Sequence, residues 1–228
     1  MRPAPAKVPD SNALERLGGA TLQVVHDLKN QLNGLKLYAT FLRKRLKRED
    51  QPPDERETLQ KLIAGLDRAA KDLTALVRFA RPLELRAQAN VDLRRIISKV
   101  IAEAAERETG GLPRVAIAAD IEAASVIGEF DSVAITEAVK AITDDVRASV
   151  SPKDPQPLSV AMRVDRETAR AAIEWRGSHL NRRSGSGLND CGSIHTALAT
   201  KIIEAHGGEV NCDNNTIRVL LPLSSKRI

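Results

Sequence analysis

Two regular apolar seams separated by a double proline constrain this chain more than any other feature. From Val25 the apolar positions are Val25, Leu28, Leu32, Leu35, Ala39, Leu42 and Leu46, at intervals alternating between three and four. That alternation holds one narrow stripe along a helix, the seam of a coiled coil or four-helix bundle. Residues 51–55, QPPDE, break the helix, because proline lacks the amide hydrogen and its ring collides with the preceding turn. A second seam runs through Leu59, Leu62, Leu66, Ala69, Leu73, Leu76 and Ala80 and stops at Arg81-Pro82. The pattern predicts an antiparallel helical hairpin over residues 13–82, after a disordered leader at 1–12. Two helices cannot enclose a core, whereas four can. A second copy packed on the first is therefore expected, giving a homodimeric four-helix bundle. The alternative is that the rest of the chain folds over the stripes; the narrowness of both seams favours the dimer.

Beyond a linker at 83–90 the pattern changes. Aromatic residues make up only 2% of the chain against 42% hydrophobic, so the core must be built from Leu, Ile, Val and Ala. VDLRRIISKVIAEAA predicts a helix, VAIAADI and SVIGEF predict strands, and DSVAITEAVKAITDDVRASV predicts a second helix. After the turn-rich SPKDPQP, LSVAMRVDRETARAAIEW predicts a hairpin around Asp165-Arg166-Glu167. A polar loop, RGSHLNRRSGSGLNDCGS, precedes the helix of IHTALATKIIEAHGGEV, which stops at Gly207-Gly208, and NTIRVLLPL is a last strand. With no βαβ repeat, residues 91–225 are expected to form an α+β sandwich with helices on one face of a mixed sheet.

No run approaches the roughly 18 apolar residues of a membrane span, and the leader lacks the apolar core of a signal peptide. A cytoplasmic protein without a membrane partner is expected. Cys191 and Cys212 are too few for a zinc site or a disulfide framework, so two reduced thiols are expected. The net charge is +5, and much of the local excess lies in RKRLKR at 43–48. No aromatic residue is interleaved there and Glu49 and Asp50 follow, which fits a solvated helix end better than a nucleic-acid site, with docking of an acidic protein partner as the alternative.

Within the first seam stands VVHDLKNQLNGL. His26 follows seam residue Val25, so it lies beside the stripe and faces outward, with Asn30 one turn along the same face. Lys29 and Asn33 flank it. An exposed imidazole near neutral pH is a competent nucleophile and proton acceptor. On pattern alone, an ordinary surface histidine is the commoner case.

A hairpin bearing HDLKN, a linker ending in VDL, and an α/β domain closing with KIIEAHGGEV and VLLPL together resemble the bacterial two-component sensor histidine kinases. The resemblance covers residues 14 to 223; HDLKN looks like the family's H-box and IIEAHGGEV like the helix after its ATP lid. It implies a dimeric phosphoacceptor domain followed by an α+β sandwich of the histidine-kinase ATPase type. It further implies that His26 carries a phosphoryl group and exchanges it with an aspartate on a response-regulator receiver domain. Mg²⁺ would come with that regulator, and an upstream histidine kinase is a further partner. By the same resemblance Asp27 is the acid/base neighbour, and Asn30 orients water for dephosphorylation through its amide. Gln31 stands where the family often has proline, which predicts a straighter helix.

The second domain departs from the family where nucleotide should bind. Counting from Asp131 puts Ala141 and Asp145 at the two asparagine positions of the family, and only Asp145 can offer oxygen to a metal. Aligning IEWRGSHL on the adenine-reading turn puts Trp175 at the aspartate and His179 at the second glycine, keeping Gly177. The glycine-rich lid junction becomes Ser193, Ile194, His195 and Thr196, with Gly185, Gly187 and Gly192 upstream as partial substitutes or simply parts of a flexible loop. Asp145, Gly177 and Gly192 thus remain as a degenerate nucleotide site, with Asp145 its candidate metal ligand. Three elements fail together, which argues against autophosphorylation from ATP, and no other cofactor is indicated. His206 is expected to cap or pack its helix end, while His179 and His195 lack companions at ligand spacing. A histidine phosphotransferase or phosphatase ranks first, an active soluble kinase second, and a non-catalytic scaffold third.

Overall fold

The computed structural model describes residues 11–45, 53–106, 116–122, 125–149, 157–177, 193–213 and 215–224. The chain divides into two compact units, 1–82 and 83–228.

The first unit is a helical pair, α1 (Ser11–Arg45) and α2 (Pro53–Ala80). Residues 1–10 of the expected leader lie outside the described residues, and Ser11 and Asn12 already belong to α1. Pro53 opens α2 at a position where a missing amide hydrogen costs no intrahelical bond. α1 runs through Gln31 without a break. Lys36 of α1 and Asp67 of α2 form an ion pair, and Val25, Ala39, Ile63 and Ala75 are buried. The expected seam is only half covered. Leu28, Leu35 and Leu42, seven residues apart on α1, remain 45%, 55% and 48% exposed, and Leu62 on α2 is 53% exposed.

The second unit runs β1 (Gln88–Asp92), α3 (Leu93–Glu106), β2 (Ile117–Ile121), β3 (Ile127–Phe130), α4 (Ser132–Ser149), β4 (Leu158–Asp165), β5 (Arg170–Arg176), α5 (Ile194–Ala205), β6 (Glu209–Asp213) and β7 (Thr216–Pro222). Five strands form a sheet in the order β2-β4-β5-β7-β6, with β2 parallel to β4 and the other pairs antiparallel. β1 and β3 pair separately. Alternation along the central strands puts Val160, Met162, Ile173, Trp175, Val219 and Leu221 on one buried face. The opposite face carries the ion pairs Asp120–Arg163, Glu174–Arg176, Glu174–Arg218 and Arg170–Glu209. Amphipathic helices close the core: α3 buries Leu93, Ile97, Val100, Ile101 and Ala104, and α4 buries Ile135, Ala138, Val139, Ile142 and Val146. The expected mixed-sheet α+β architecture is present.

Three expectations need correction. β1 occupies residues expected to be linker and helix start, and β6 follows the glycine stop where no strand was expected. Gly207 adopts φ +74°, the left-handed ending of a helix. At Gly208 a Cβ would lie 2.6 Å from the Leu220 carbonyl oxygen, so the pair both ends α5 and lets β6 approach β7. Finally, Cys212 in β6 is disulfide-bonded rather than reduced, while Cys191 lies outside the described residues.

Candidate functional site

α1 carries the first candidate group. His26 lies within α1, but its side chain is outside what the structure describes. Asp27 and Asn30 are both exposed. The helical repeat places Asn30 on the face of position 26, one turn on, and turns Asp27 about 100° away. The same face continues through Gly34, Leu37 and Phe41, at steps of four, three and four. Leu37 is 69% and Phe41 60% exposed, and nothing lies within 4 Å of a Cβ built on Gly34. Sequence reasoning passed over Leu37 and Phe41 because they fall outside the seam. The available signal was their phase: two large apolar side chains in register with His26 instead of Val25.

The second candidate group lies between α4 and α5. Asp145 accepts hydrogen bonds on Oδ2 from the hydroxyls of Ser193 and Thr196. Ser193 is the N-cap of α5, and its Oγ accepts from the Thr196 amide at 3.1 Å. Trp175 is fully buried, and its Nε1–H donates to Thr143 Oγ1 at 3.0 Å. That hydroxyl in turn donates to the Val139 carbonyl at 2.7 Å. Gly177 follows β5, and its N–H donates to the Asn215 carbonyl at 3.2 Å. A Cβ there would meet Val146 Cγ1 at 3.4 Å. Ala141 is half-buried on α4. His179, Gly185, Gly187 and Gly192 lie outside the described residues.

Two of the side chains expected at a nucleotide site have protein partners. Asp145, the expected metal ligand, is engaged with two hydroxyls. The residue standing for the adenine-reading acceptor is a donor committed to Thr143. Among the described residues no group of three or more His, Cys, Asp or Glu could hold a metal, and no helix is long and apolar enough to cross a membrane.

A helical pair followed by this α+β sandwich is the fold of histidine kinases of known structure. Full-length ShkA, solved in complex with AMPPNP, matches with a TM-score of 0.63 at 14% identity, over 90% of this chain and 46% of that one. The histidine kinase AdeS of Acinetobacter baumannii matches with a TM-score of 0.56 at 14% identity, over 87% of this chain and 98% of its own. No protein-family model matches the sequence, and no curated protein matches it.

Proposed function

We propose that this chain is a two-component signalling protein that carries a phosphoryl group on His26 and exchanges it with, or removes it from, the aspartate of a response-regulator receiver domain. The supporting observation is the α1 face: position 26, exposed Asn30, and the exposed apolar pair Leu37 and Phe41 share one stripe that α2 leaves open. Such a stripe offers a reacting group beside an apolar footing for a second protein.

In the transfer step an imidazole nitrogen of His26 attacks phosphorus. The P–N bond forms as the P–O bond to the receiver aspartate breaks, and that carboxylate leaves. Transfer in the other direction reverses both changes. The helix supplies positioning, the main requirement of phosphoryl transfer, and the receiver brings the Mg²⁺ that neutralises charge. By the resemblance, Asp27 would act on the ring proton and the Asn30 amide would orient a water for hydrolysis of the receiver phosphate. The open row of Leu28, Leu35 and Leu42 supports a homodimer, since a second copy would cover it and complete a four-helix bundle.

The test offers the full chain a panel of receiver domains phosphorylated by acetyl phosphate. Label should appear on the wild type and be absent from His26→Ala. Label on both, or on neither with every receiver, would sink the reading. Incubation with Mg·ATP alone should give no label, which separates this reading from an active kinase.

A further inference from the structure

We propose that the α4–α5 face is closed by its own side chains, with the Asp145 carboxylate serving as a built-in anion at the start of α5 in place of any bound phosphate. The amides of a helix's first turn lack intrahelical acceptors and carry a partial positive charge. α5 has no acidic residue in its own first turn to answer that charge. The carboxylate comes instead from α4, where Asp145 takes the hydroxyls of both the N-cap Ser193 and Thr196. Thr196 is fully buried, so losing that carboxylate would leave its hydroxyl only the long 3.4 Å bond with Ser193 Oγ. A phosphate arriving at this helix end would have to displace a negative group and repel it on approach.

The remaining contacts point the same way. Trp175 lies beneath α4 with its only donor committed to Thr143, so the indole ties the sheet to the helix. Both links join α4 to another part of the same unit, and neither needs a ligand. The second unit therefore holds its α4–α5 packing with no nucleotide and does not respond to one. This inference is independent of the chemistry at His26, and its test involves no phosphotransfer.

The experiment uses the full chain and the fluorescence of Trp175, its single tryptophan, to follow melting of the second unit. Wild type, Asp145→Ala and Asp145→Asn are melted alone, with Mg·AMPPNP, and with inorganic pyrophosphate. The wild-type Tm should move by less than about 1 °C with either anion, where a ligand at a hundred times its Kd would raise it by several degrees. Asp145→Ala should melt about 4–8 °C lower in plain buffer and regain part of that loss with pyrophosphate. Saturable stabilisation of the wild type overturns the proposal. So does an Asp145→Ala Tm equal to the wild type, or a lowered Tm that pyrophosphate fails to raise. If Asp145→Ala does not fold, Asp145→Asn, which keeps the shape and loses the charge, carries the same comparison.

Discussion

The backbone N–H of Asp131, at the head of α4, donates to Nε2 of His206, at the foot of α5, across 3.0 Å. Nδ1 of the same ring lies 2.7 Å from the Ile202 carbonyl oxygen. The first contact needs a lone pair on Nε2 and the second a proton on Nδ1, so the two bonds together favour one tautomer of the ring. The Asp131 carboxylate meanwhile accepts from the amides of Val133 and Ala134 at 3.0 Å and of Arg86 at 2.9 Å. One residue pair thus joins two helix ends and the segment that enters the second unit.

Replacing that ring tests the arrangement. His206→Phe keeps an aromatic beside Phe130, whose centroid lies 6.0 Å away, but loses both hydrogen bonds. It should cost about 1–3 kcal/mol, because the Asp131 N–H loses its partner away from bulk water. His206→Ala should cost more, since the ring packing goes as well. Urea unfolding followed by Trp175 fluorescence measures both, and wild-type stability for His206→Phe would count against the linkage.

Acid should release the same cap. The amides of Ala134 and Arg86, then Val133, hold the Asp131 carboxyl below the usual aspartate range. A depressed carboxyl contributes stability that is complete above its unfolded pKa and lost as pH falls through the folded one. The loss should therefore set in from about pH 4 downward. Asp120, beside Arg163, and Asp165, held by Thr168, are shifted in the same direction and add to the acid limb. The Asp131 share is isolated by comparison with Asp131→Asn, whose stability should fall less steeply between about pH 4 and 2. Parallel acid limbs in the two proteins would refute it.

Much of this fold was legible because long periodic segments advertise themselves. The seams gave α1 and α2, and the apolar rhythm of SVAITEAVKAITDD gave α4. The Gly207-Gly208 stop and the capping place of His206 were also readable, since a helix end leaves carbonyls that a neighbouring side chain can meet. β1 and β6 were not readable. Each is a five-residue strand with mostly exposed side chains, and its pairing depends on a distant strand rather than on its own composition. Trp175 was placed by alignment as a damaged acceptor, whereas only the fold shows its N–H turned toward Thr143. Leu37 and Phe41 escaped notice for the opposite reason: regular seams draw attention away from apolar residues at other phases.

The Trp175–Thr143 bond should be measurable as a coupling. Thr143→Val removes the acceptor while keeping the shape, and should cost about 1–3 kcal/mol by leaving the indole N–H unmatched in the core. Trp175→Phe removes the donor and opens a cavity. In the double variant the costs should fall short of their sum by about 0.5–3 kcal/mol, the mark of side chains in direct contact. Strict additivity would mean the bond contributes nothing.

On the first unit, the row of Leu28, Leu35 and Leu42 carries the prediction of a homodimer. Leu35→Glu puts a charge at the middle of that row, where a partner helix would have to desolvate it. Sedimentation equilibrium should show the wild type at twice the chain mass and Leu35→Glu shifted to the monomer. Asn33→Glu, a change at an exposed position on the opposite side of the helix, should leave the mass unchanged. A monomeric wild type would remove the dimer.

The stripe beyond position 26 makes the sharpest claim about partners. If Leu37 and Phe41 form the apolar footing of a receiver domain, their loss should weaken docking without touching the nucleophile. Leu37→Ala and Phe41→Ala should each raise the receiver concentration needed for half-maximal transfer by roughly 5–30-fold, the effect of about 1–2 kcal/mol of apolar contact. The rate at saturating receiver should stay close to wild type, because an interaction made equally in the bound and transition states changes affinity alone. His26→Ala should do the reverse and abolish transfer while leaving receiver binding intact. Both side chains are already exposed, so their removal should leave Tm within about 1–2 °C of wild type, distinguishing lost docking from lost folding. A drop in the saturated rate with unchanged half-saturation would move these residues out of the footing and into the reaction itself.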